Sequence, residues 1–388
     1  MKEETKVVTA GRDPENHYGI INPPVYHAST VLFSTLAALE GRDPLSSRSV
    51  TYGLRGTPTQ FALNQALAEL EGGHECWLFP SGLAAVVVAL LAYVKAGDHV
   101  LMTDSVYGPT RTFCDIWLRR FGVATTYYDP LIGSAIAGLM RPETTIVFTE
   151  SPGSLTFEVQ DIPAISAAAK DGGATVIMDN TWASPLYFKP FEHGVDVSVQ
   201  AATKYIVGHS DAMLGSVTST EAAWPALQRA ALLFGQQGAP DDCYLAQRGL
   251  RTMAVRLARH QETGLRLARC LLDRPEVDQV LHPGLPGDFG HDIWKRDFTG
   301  ASGLFGVVLK PCSRQGLAAM LDGLELFGMG YSWGGYESLI LPSDPRPVRT
   351  ATRWSAPGPL LRIHAGLEDP QDLIADLEAG FERLKAVT

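Results

Sequence analysis

Two short apolar runs, each ending in an ionisable side chain, constrain the fold of this chain more than any other stretch. Between Ala174 and Met213 the sequence reads ATVIMDNTWASPLYFKPFEHGVDVSVQAATKYIVGHSDAM. Ala174 to Met178 is brief, apolar and rich in β-branched residues, the signature of a strand covered on both faces. Asp179 follows at once. The second run, Val195 to Gln200, leads through Ala-Ala-Thr to Lys204. Such strands build parallel sheets, whose ligands gather outside the carboxyl ends of the strands. An acid and an amine both stand there.

The rest of the chain extends the alternation. Strands are expected at Cys76 to Phe79, His99 to Thr103, Val123 to Tyr128 and Thr145 to Thr149, with Met213 to Thr218 closing the sheet. Helices are expected at Leu83 to Lys95, Tyr107 to Phe121 and Pro163 to Lys170. An earlier helix has Leu63, Ala66, Leu67 and Leu70 on one face, Thr59 as its N-cap and Gly72-Gly73 as its stop. The pattern is α/β, a mostly parallel sheet covered by helices. A long helical segment, Asp242 to Leu272, then leads to a smaller α/β unit. Its strands are expected near Leu304 to Leu309 and Leu361 to His364, and an amphipathic helix from Pro370 to Leu384 ends it. Residues 1–56 hold turn-formers, such as Gly11-Arg12-Asp13-Pro14 and Gly41-Arg42-Asp43-Pro44, without periodicity. Such an arm buries little of itself; it is either disordered or packed on something else, a second subunit included. Three parts are expected: an N-terminal arm (1–56), a cofactor-binding domain (57–250) and a C-terminal domain (251–388).

An acid and an amine near strand ends suit a cofactor with one cationic ring nitrogen and one aldehyde, and pyridoxal phosphate is such a cofactor. Its aldehyde bonds a lysine, its pyridine nitrogen needs an anion to stay protonated, and its phosphate needs backbone N–H groups. Ser81-Gly82-Leu83 is a candidate phosphate cup: Ser81 caps a helix whose first N–H groups are free, and Gly82 admits close approach. An ordinary strand–turn–helix corner reads the same way. A lone aspartate after a strand also serves as a turn or cap, and most lysines are solvated surface charges.

Composition narrows the partners. A formal charge of −10 over 388 residues, without any basic run, argues against nucleic acid and anionic membranes. The longest apolar run, Leu83 to Val94, is too short to span a bilayer. Five scattered cysteines, never as C-x-x-C, fit reduced thiols in a cytoplasm better than disulfides or zinc, and the ten histidines show no metal-ligand spacing. No metal is expected. The charged start, MKEETK, lacks the apolar core of a signal peptide.

Several phrases in fixed order now carry a resemblance. They are Asn22-Pro23-Pro24 with Ala28-Ser29-Thr30, Tyr52-Gly53-Leu54-Arg55-Gly56, Pro80-Ser81-Gly82, Glu150-Ser151-Pro152, Asp179-Asn180-Thr181, Thr203-Lys204-Tyr205 and Leu361-Arg362-Ile363-His364. Over essentially its whole length the chain resembles the Cys/Met-metabolism (transsulfuration) family of pyridoxal-phosphate enzymes, of fold type I. Ser151-Pro152-Gly153-Ser154, Gln200-Ala201-Ala202-Thr203-Lys204 and Tyr331-Ser332-Trp333-Gly334-Gly335-Tyr336-Glu337-Ser338 make it most similar to the bacterial cystathionine β-lyase branch.

The resemblance implies roles. Lys204 carries the cofactor and moves protons, Asp179 pairs with its ring nitrogen, and Tyr107 stacks on its ring. Ser81, Gly82, Leu83 and Thr203 hold the phosphate, and Tyr52 reaches it from a neighbouring subunit. Arg362 binds the substrate α-carboxylate, with Ser332 and Trp333 at the same end of the site. The implied reaction is β-elimination of L-cystathionine to homocysteine, pyruvate and ammonia, in a homo-oligomer with shared sites, expected to be a tetramer. γ-Synthase, γ-lyase and desulfhydrase chemistry of the same family, and a cofactor-binding regulator, are the alternatives. Two departures stand out: Leu54 replaces the family's usual phosphate-binding arginine, and Ala201 a common serine. Arg55 is a candidate to compensate for Leu54, or to meet the distal carboxylate of the substrate.

Overall fold

The computed structural model describes residues 1–43 and 48–387, so the turn expected at Gly41-Arg42-Asp43-Pro44 lies partly outside them. Seven strands form the main sheet: β1 (Glu75–Phe79), β2 (His99–Thr103), β3 (Ala124–Tyr128), β4 (Thr144–Glu150), β5 (Thr175–Asp179), β6 (Val197–Gln200) and β7 (Gly215–Ser219). Their order is β1-β7-β6-β5-β4-β2-β3. β2 to β6 are parallel, whereas β7 runs antiparallel to both β1 and β6. The expectation that the β7 segment closes the sheet is therefore corrected: it lies inside, one strand from the edge. Residues 201–214 contain no crossover helix, and without one the chain returns antiparallel beside β6.

Three further expectations change for local reasons. The helix Pro58–Glu71 is capped by Thr57, with Gln60 Oε1 accepting the Thr57 N–H at 2.9 Å. Thr59, the expected cap, instead ties down the arm: its hydroxyl donates to Pro24 O and accepts from Tyr26 N, both at 2.8 Å. The helix expected to run to Lys95 spans Gly82–Leu91, and a turn with Asp98 Oδ2 accepting Lys95 N at 2.8 Å follows. The long segment from Asp242 breaks into Pro240–Leu250 and Met253–Leu272. A Cβ on Gly249 would lie 2.2 Å from Val207 O, so only glycine fits there, and the Gly249 carbonyl is taken by Arg256 Nη2 at 2.7 Å.

A second sheet of β8 (Val277–Leu281), β9 (Leu304–Leu309), β10 (Leu339–Ser343) and β11 (Leu360–His364) is antiparallel throughout, in the order β10-β11-β9-β8. β8 and β10 are too short and mixed to stand out by pattern. One buried cluster joins the two sheets, since Val147, Met178 and Trp182 pack with Leu281, Leu304 and Leu360. At the N-terminus the helix Glu3–Thr9 buries Val7 and Ala10, whose carbonyls Arg251 holds. Beyond it the arm leaves Tyr18, Ile20, Ile21, Leu32 and Leu36 exposed. Among the described residues no helix is long and apolar enough to cross a membrane, and no group of three or more His, Cys, Asp or Glu gathers as a metal site.

The connection between β10 and β11 is pinned onto the main sheet by one carboxylate. Asp104, just after β2, accepts from the N–H groups of Thr350 (3.0 Å), Ala351 (3.1 Å) and Thr352 (2.8 Å) and from Arg111 at 3.1 Å. Burial alone would push this carboxyl up, but the donors of Thr350 and Thr352 and the Arg111 charge outweigh it and hold it low. Asp104→Ala leaves the buried Arg111 with only the more distant, exposed Asp115 (4.0 Å) and strips the acceptor from three loop N–H groups, and is expected to cost roughly 3 kcal/mol, read as a lower denaturation midpoint. Because the folded pKa lies below the unfolded value of about 3.9, this contribution is full above that value and fades as pH falls through the folded pKa. The variant's deficit should therefore shrink in acid.

Candidate active site

The site is built where β4, β5 and β6 end. Glu150 and Asp179 are register partners at the ends of β4 and β5, so two acids stand side by side. Asp179 Oδ1 accepts from the backbone N–H of Thr181 (3.0 Å) and from its hydroxyl (2.5 Å). The same hydroxyl accepts the Ala201 N–H at 2.9 Å, which ties the end of β5 to the turn carrying Lys204. Glu150 accepts from Tyr107 N at 2.7 Å and from the Ser154 hydroxyl at 2.5 Å. Burial raises both carboxyls, and the Asp179 charge adds to the rise at Glu150. Two buried acids of this kind call for a cation between them and solvent.

Lys204 Nζ lies 2.5 Å from Ser332 Oγ and 5.2 Å from the centre of the Trp333 ring. Burial, with the Arg362 charge, lowers the Lys204 ammonium to about 8, and Asp179 opposes the shift. Arg362, on β11 of the second sheet, donates from Nη2 to Ser332 O at 2.9 Å. Ser332 itself sits at φ 79°, a conformation that costs a non-glycine residue energy and that aims its hydroxyl and its carbonyl at two different cations. Tyr107 caps the helix Gly108–Phe113, not within it as expected, and its side chain is half exposed. Burial and the charges of Asp179 and Glu150 raise its phenol, with Arg362 acting the other way.

The expected phosphate cup is present in outline. Ser81 caps the helix Gly82–Leu91 by accepting from Ala84 N at 3.1 Å. The first turn of a helix leaves its opening N–H groups, here those of Gly82 and Leu83, without intrahelical partners. A Cβ on Gly82 would lie 2.6 Å from Ala201 Cβ, so the two turns approach as closely as glycine permits. Thr203 is less available than expected: its hydroxyl donates to Leu214 O at 3.0 Å and accepts from Leu214 N at 2.9 Å.

Lys204, Asp179, Tyr107, Arg362, Ser332 and Trp333 thus come together, with Gly82 packed beside Ala201. Tyr52 and Arg55 do not join them within the chain. Tyr52 is half exposed at the start of the turn Gly53–Arg55, and Arg55 keeps a buried Nη1 without a hydrogen-bond partner. Sequence reasoning missed Glu150 and Thr181 as members of the site. Glu150 carried a usable signal, an acid ending an apolar strand as Asp179 does, whereas the tie from Thr181 to the Lys204 turn rests on a contact 20 residues away.

These residues fit pyridoxal phosphate: a buried acid pair for a ring cation, a depressed amine for an aldehyde and a glycine-cradled helix start for a phosphate. The family model for Cys/Met metabolism PLP-dependent enzymes matches residues 4–382. A Rhizobium johnstonii protein is 52% identical over 99% of this chain and 96% of its own length. The cystathionine beta-lyase MetC of Escherichia coli is 48% identical over 99% of both chains. Among solved structures, the cystathionine gamma synthase of Xanthomonas oryzae pv. oryzae, in complex with aminoacrylate and cysteine, superposes with a TM-score of 0.90 at 31% identity, covering 100% of each chain. With the acid pair, the amine and this match in agreement, the chain belongs to the Cys/Met metabolism family of PLP-dependent enzymes.

Proposed function

We propose that this chain is a PLP-dependent carbon–sulfur lyase that cleaves the Cβ–S bond of L-cystathionine, giving homocysteine, pyruvate and ammonia. One observation carries the reading: Ser332 holds the amine of Lys204 through its hydroxyl and the guanidinium of Arg362 through its carbonyl. A proton-moving amine and a carboxylate clamp therefore share one anchor. Relatives named cystathionine beta-lyase at 48% and 47% identity support β- over γ-elimination, since the solved γ-synthase stands at 31%.

Bound pyridoxal phosphate supplies a sink for the negative charge that develops at the substrate Cα. Lys204 would hold it covalently and Asp179 its ring nitrogen, with Tyr107 on its face and Ser81, Gly82, Leu83 and Thr203 about its phosphate. Arg362 orients the substrate: one arm of its planar fork stays on Ser332 O, and its other N–H groups meet the α-carboxylate. Lys204, with a pKa near 8, is partly neutral at neutral pH and takes the Cα proton. The departing sulfur then receives a proton from Lys204 or from Tyr107, whose raised pKa keeps its phenol protonated. Trp333 walls the amine on one side.

The exposed apolar residues of the arm, Tyr18, Ile20, Ile21, Leu32 and Leu36, support a homo-oligomer in which a second copy covers them and Tyr52 and Arg55 complete the neighbour's site, with a tetramer as two such pairs. Five unpaired cysteines support a reducing, cytoplasmic setting.

Incubation with L-cystathionine should release pyruvate; release of 2-oxobutyrate instead would establish γ-elimination. Borohydride reduction followed by peptide mapping should put the pyridoxyl label on Lys204, and a label on another lysine would refute the assignment. Mixing inactive Lys204→Ala with inactive Tyr52→Phe chains should restore partial activity after reassembly, because one site then combines two intact contributions. Absence of complementation places Tyr52 in its own chain's site or in none. Finally, Leu54→Arg adds a charge-assisted contact of roughly 1.5–3 kcal/mol if residue 54 faces the phosphate, tightening cofactor binding about tenfold or more. A loss in Arg55→Ala with no gain in Leu54→Arg would assign that contact to Arg55.

A further inference from the structure

Behind the loop that carries Ser332 and Trp333 lie two imidazoles that the reaction outlined above leaves without a task. His364 ends β11, two residues beyond Arg362 and on the same face of the strand. His260, on the helix Met253–Leu272, packs against it, with ring centres 5.1 Å apart. Both are buried. The Tyr205 ring lies 5.4 Å from that of His260 and 5.4 Å from that of Trp333.

The available donors and acceptors restrict the tautomers. His260 Nδ1 lies 2.8 Å from Ala365 O, which only accepts, so Nδ1 carries the proton and Nε2 is bare. His364 Nε2 lies 3.1 Å from the N–H of Gly334 and 3.2 Å from Gly335 O. It serves one of them at a time. Accepting from Gly334 requires a bare Nε2 and puts the proton on Nδ1, which has no other partner; His260 Nε2 has none either. No hydrogen bond joins the two rings, which meet by packing alone. The opposite tautomer leaves the Gly334 N–H facing another N–H, which burial makes costly.

The Gly334 contact matters because of where that residue sits. It has φ 90°, and a Cβ there would lie 3.0 Å from Lys204 Cα, so the loop rests directly on the Lys204 backbone. We propose that His364, packed against His260 and accepting from the Gly334 N–H, is a positioning residue that seats the Ser332–Gly334 loop on Lys204. Release of the Gly334 N–H lifts the loop, withdraws Ser332 Oγ from Nζ and admits water to the amine. The charged groups about Lys204 are Arg362 and Asp179; the titratable groups about His364 are the neutral His260 and the cations Arg362 and Lys204. Burial, with these neighbours, holds His364 well below the ordinary imidazole range, so it stays neutral and needs no titration to act. The low pKa of Lys204 comes first from burial, and a lifted loop therefore raises it.

The inference rests on Lys204 being the reactive amine proposed above, but its test does not depend on the substrate. Competitive acetylation of the full-length apoprotein across the pH range, read by mass spectrometry on the Lys204 peptide, reports the Lys204 pKa. The holoenzyme reports the acidic limb of kcat. His364→Leu should raise the Lys204 pKa by roughly one unit, move the acidic limb alkaline by the same amount and lower kcat about tenfold. His364→Gln, whose Oε1 can accept from Gly334, should recover most of both. A parental Lys204 pKa in folded His364→Leu overturns the proposal, and so does a His364→Gln no better than His364→Leu. Where His364→Leu does not fold, His260→Leu is read in its place; a shift in the same direction supports the proposal and a parental value overturns it. A shifted Lys204 pKa without pyruvate release would refute the lyase reading and leave this inference standing.

Discussion

Two carboxylates side by side, Glu150 buried and Asp179 partly so, are the constraint on which the rest of this site depends. Asp179 and Glu150 end neighbouring parallel strands in register, and burial disfavours their charged forms. Such an arrangement is stable only where hydrogen-bond donors and a cation gather round it. The surrounding structure supplies the donors: Thr181 to Asp179, and Ser154 with the Tyr107 N–H to Glu150. Each donor also does a second job. The Thr181 hydroxyl fixes the turn before Lys204, and the Tyr107 N–H fixes the start of the helix that displays the phenol.

The second sheet delivers what the first cannot. Arg362, Ser332 and Trp333 all come from residues beyond 300, and they reach Lys204 because the two sheets share a buried cluster and because Asp104 holds the β10–β11 connection. A carboxylate that accepts several backbone N–H groups from one short segment fixes that segment's path more tightly than apolar packing does, since hydrogen bonds are directional. The position of Arg362 is thus set in part by an aspartate three residues before Tyr107, on the other sheet.

The depressed amine of Lys204 follows from the same geometry. The lysine is half-buried beneath a loop held by Ser332 in a left-handed conformation and by Gly334 against its own backbone, and Arg362 adds like charge nearby. An arginine pulled toward the same serine as the lysine therefore helps to free the amine of its proton, beside the carboxylate-binding role proposed for it.

The sequence by itself determined the alternation of β1 to β6 with helices, the strand-end positions of Asp179 and Lys204 and the helix start at Gly82. Each is a local property: β-branched apolar runs, a capping serine, a glycine beside it. The order of phrases from Asn22 to His364 also determined the family. Tertiary structure alone decided the rest. β7 inserts beside β6 because the intervening loop carries no crossover helix, and Thr59 gives up the cap to Thr57 because the arm needs its hydroxyl. The helix after Asp242 ends at Leu250, where Gly249 packs against the Val207 carbonyl some forty residues earlier. Thr203 is committed to Leu214, while no hydrogen bond among the described residues ties Tyr52 or Arg55 to Lys204. None of these carries a periodic or compositional mark, since each depends on a partner remote in sequence whose position only the folded chain defines.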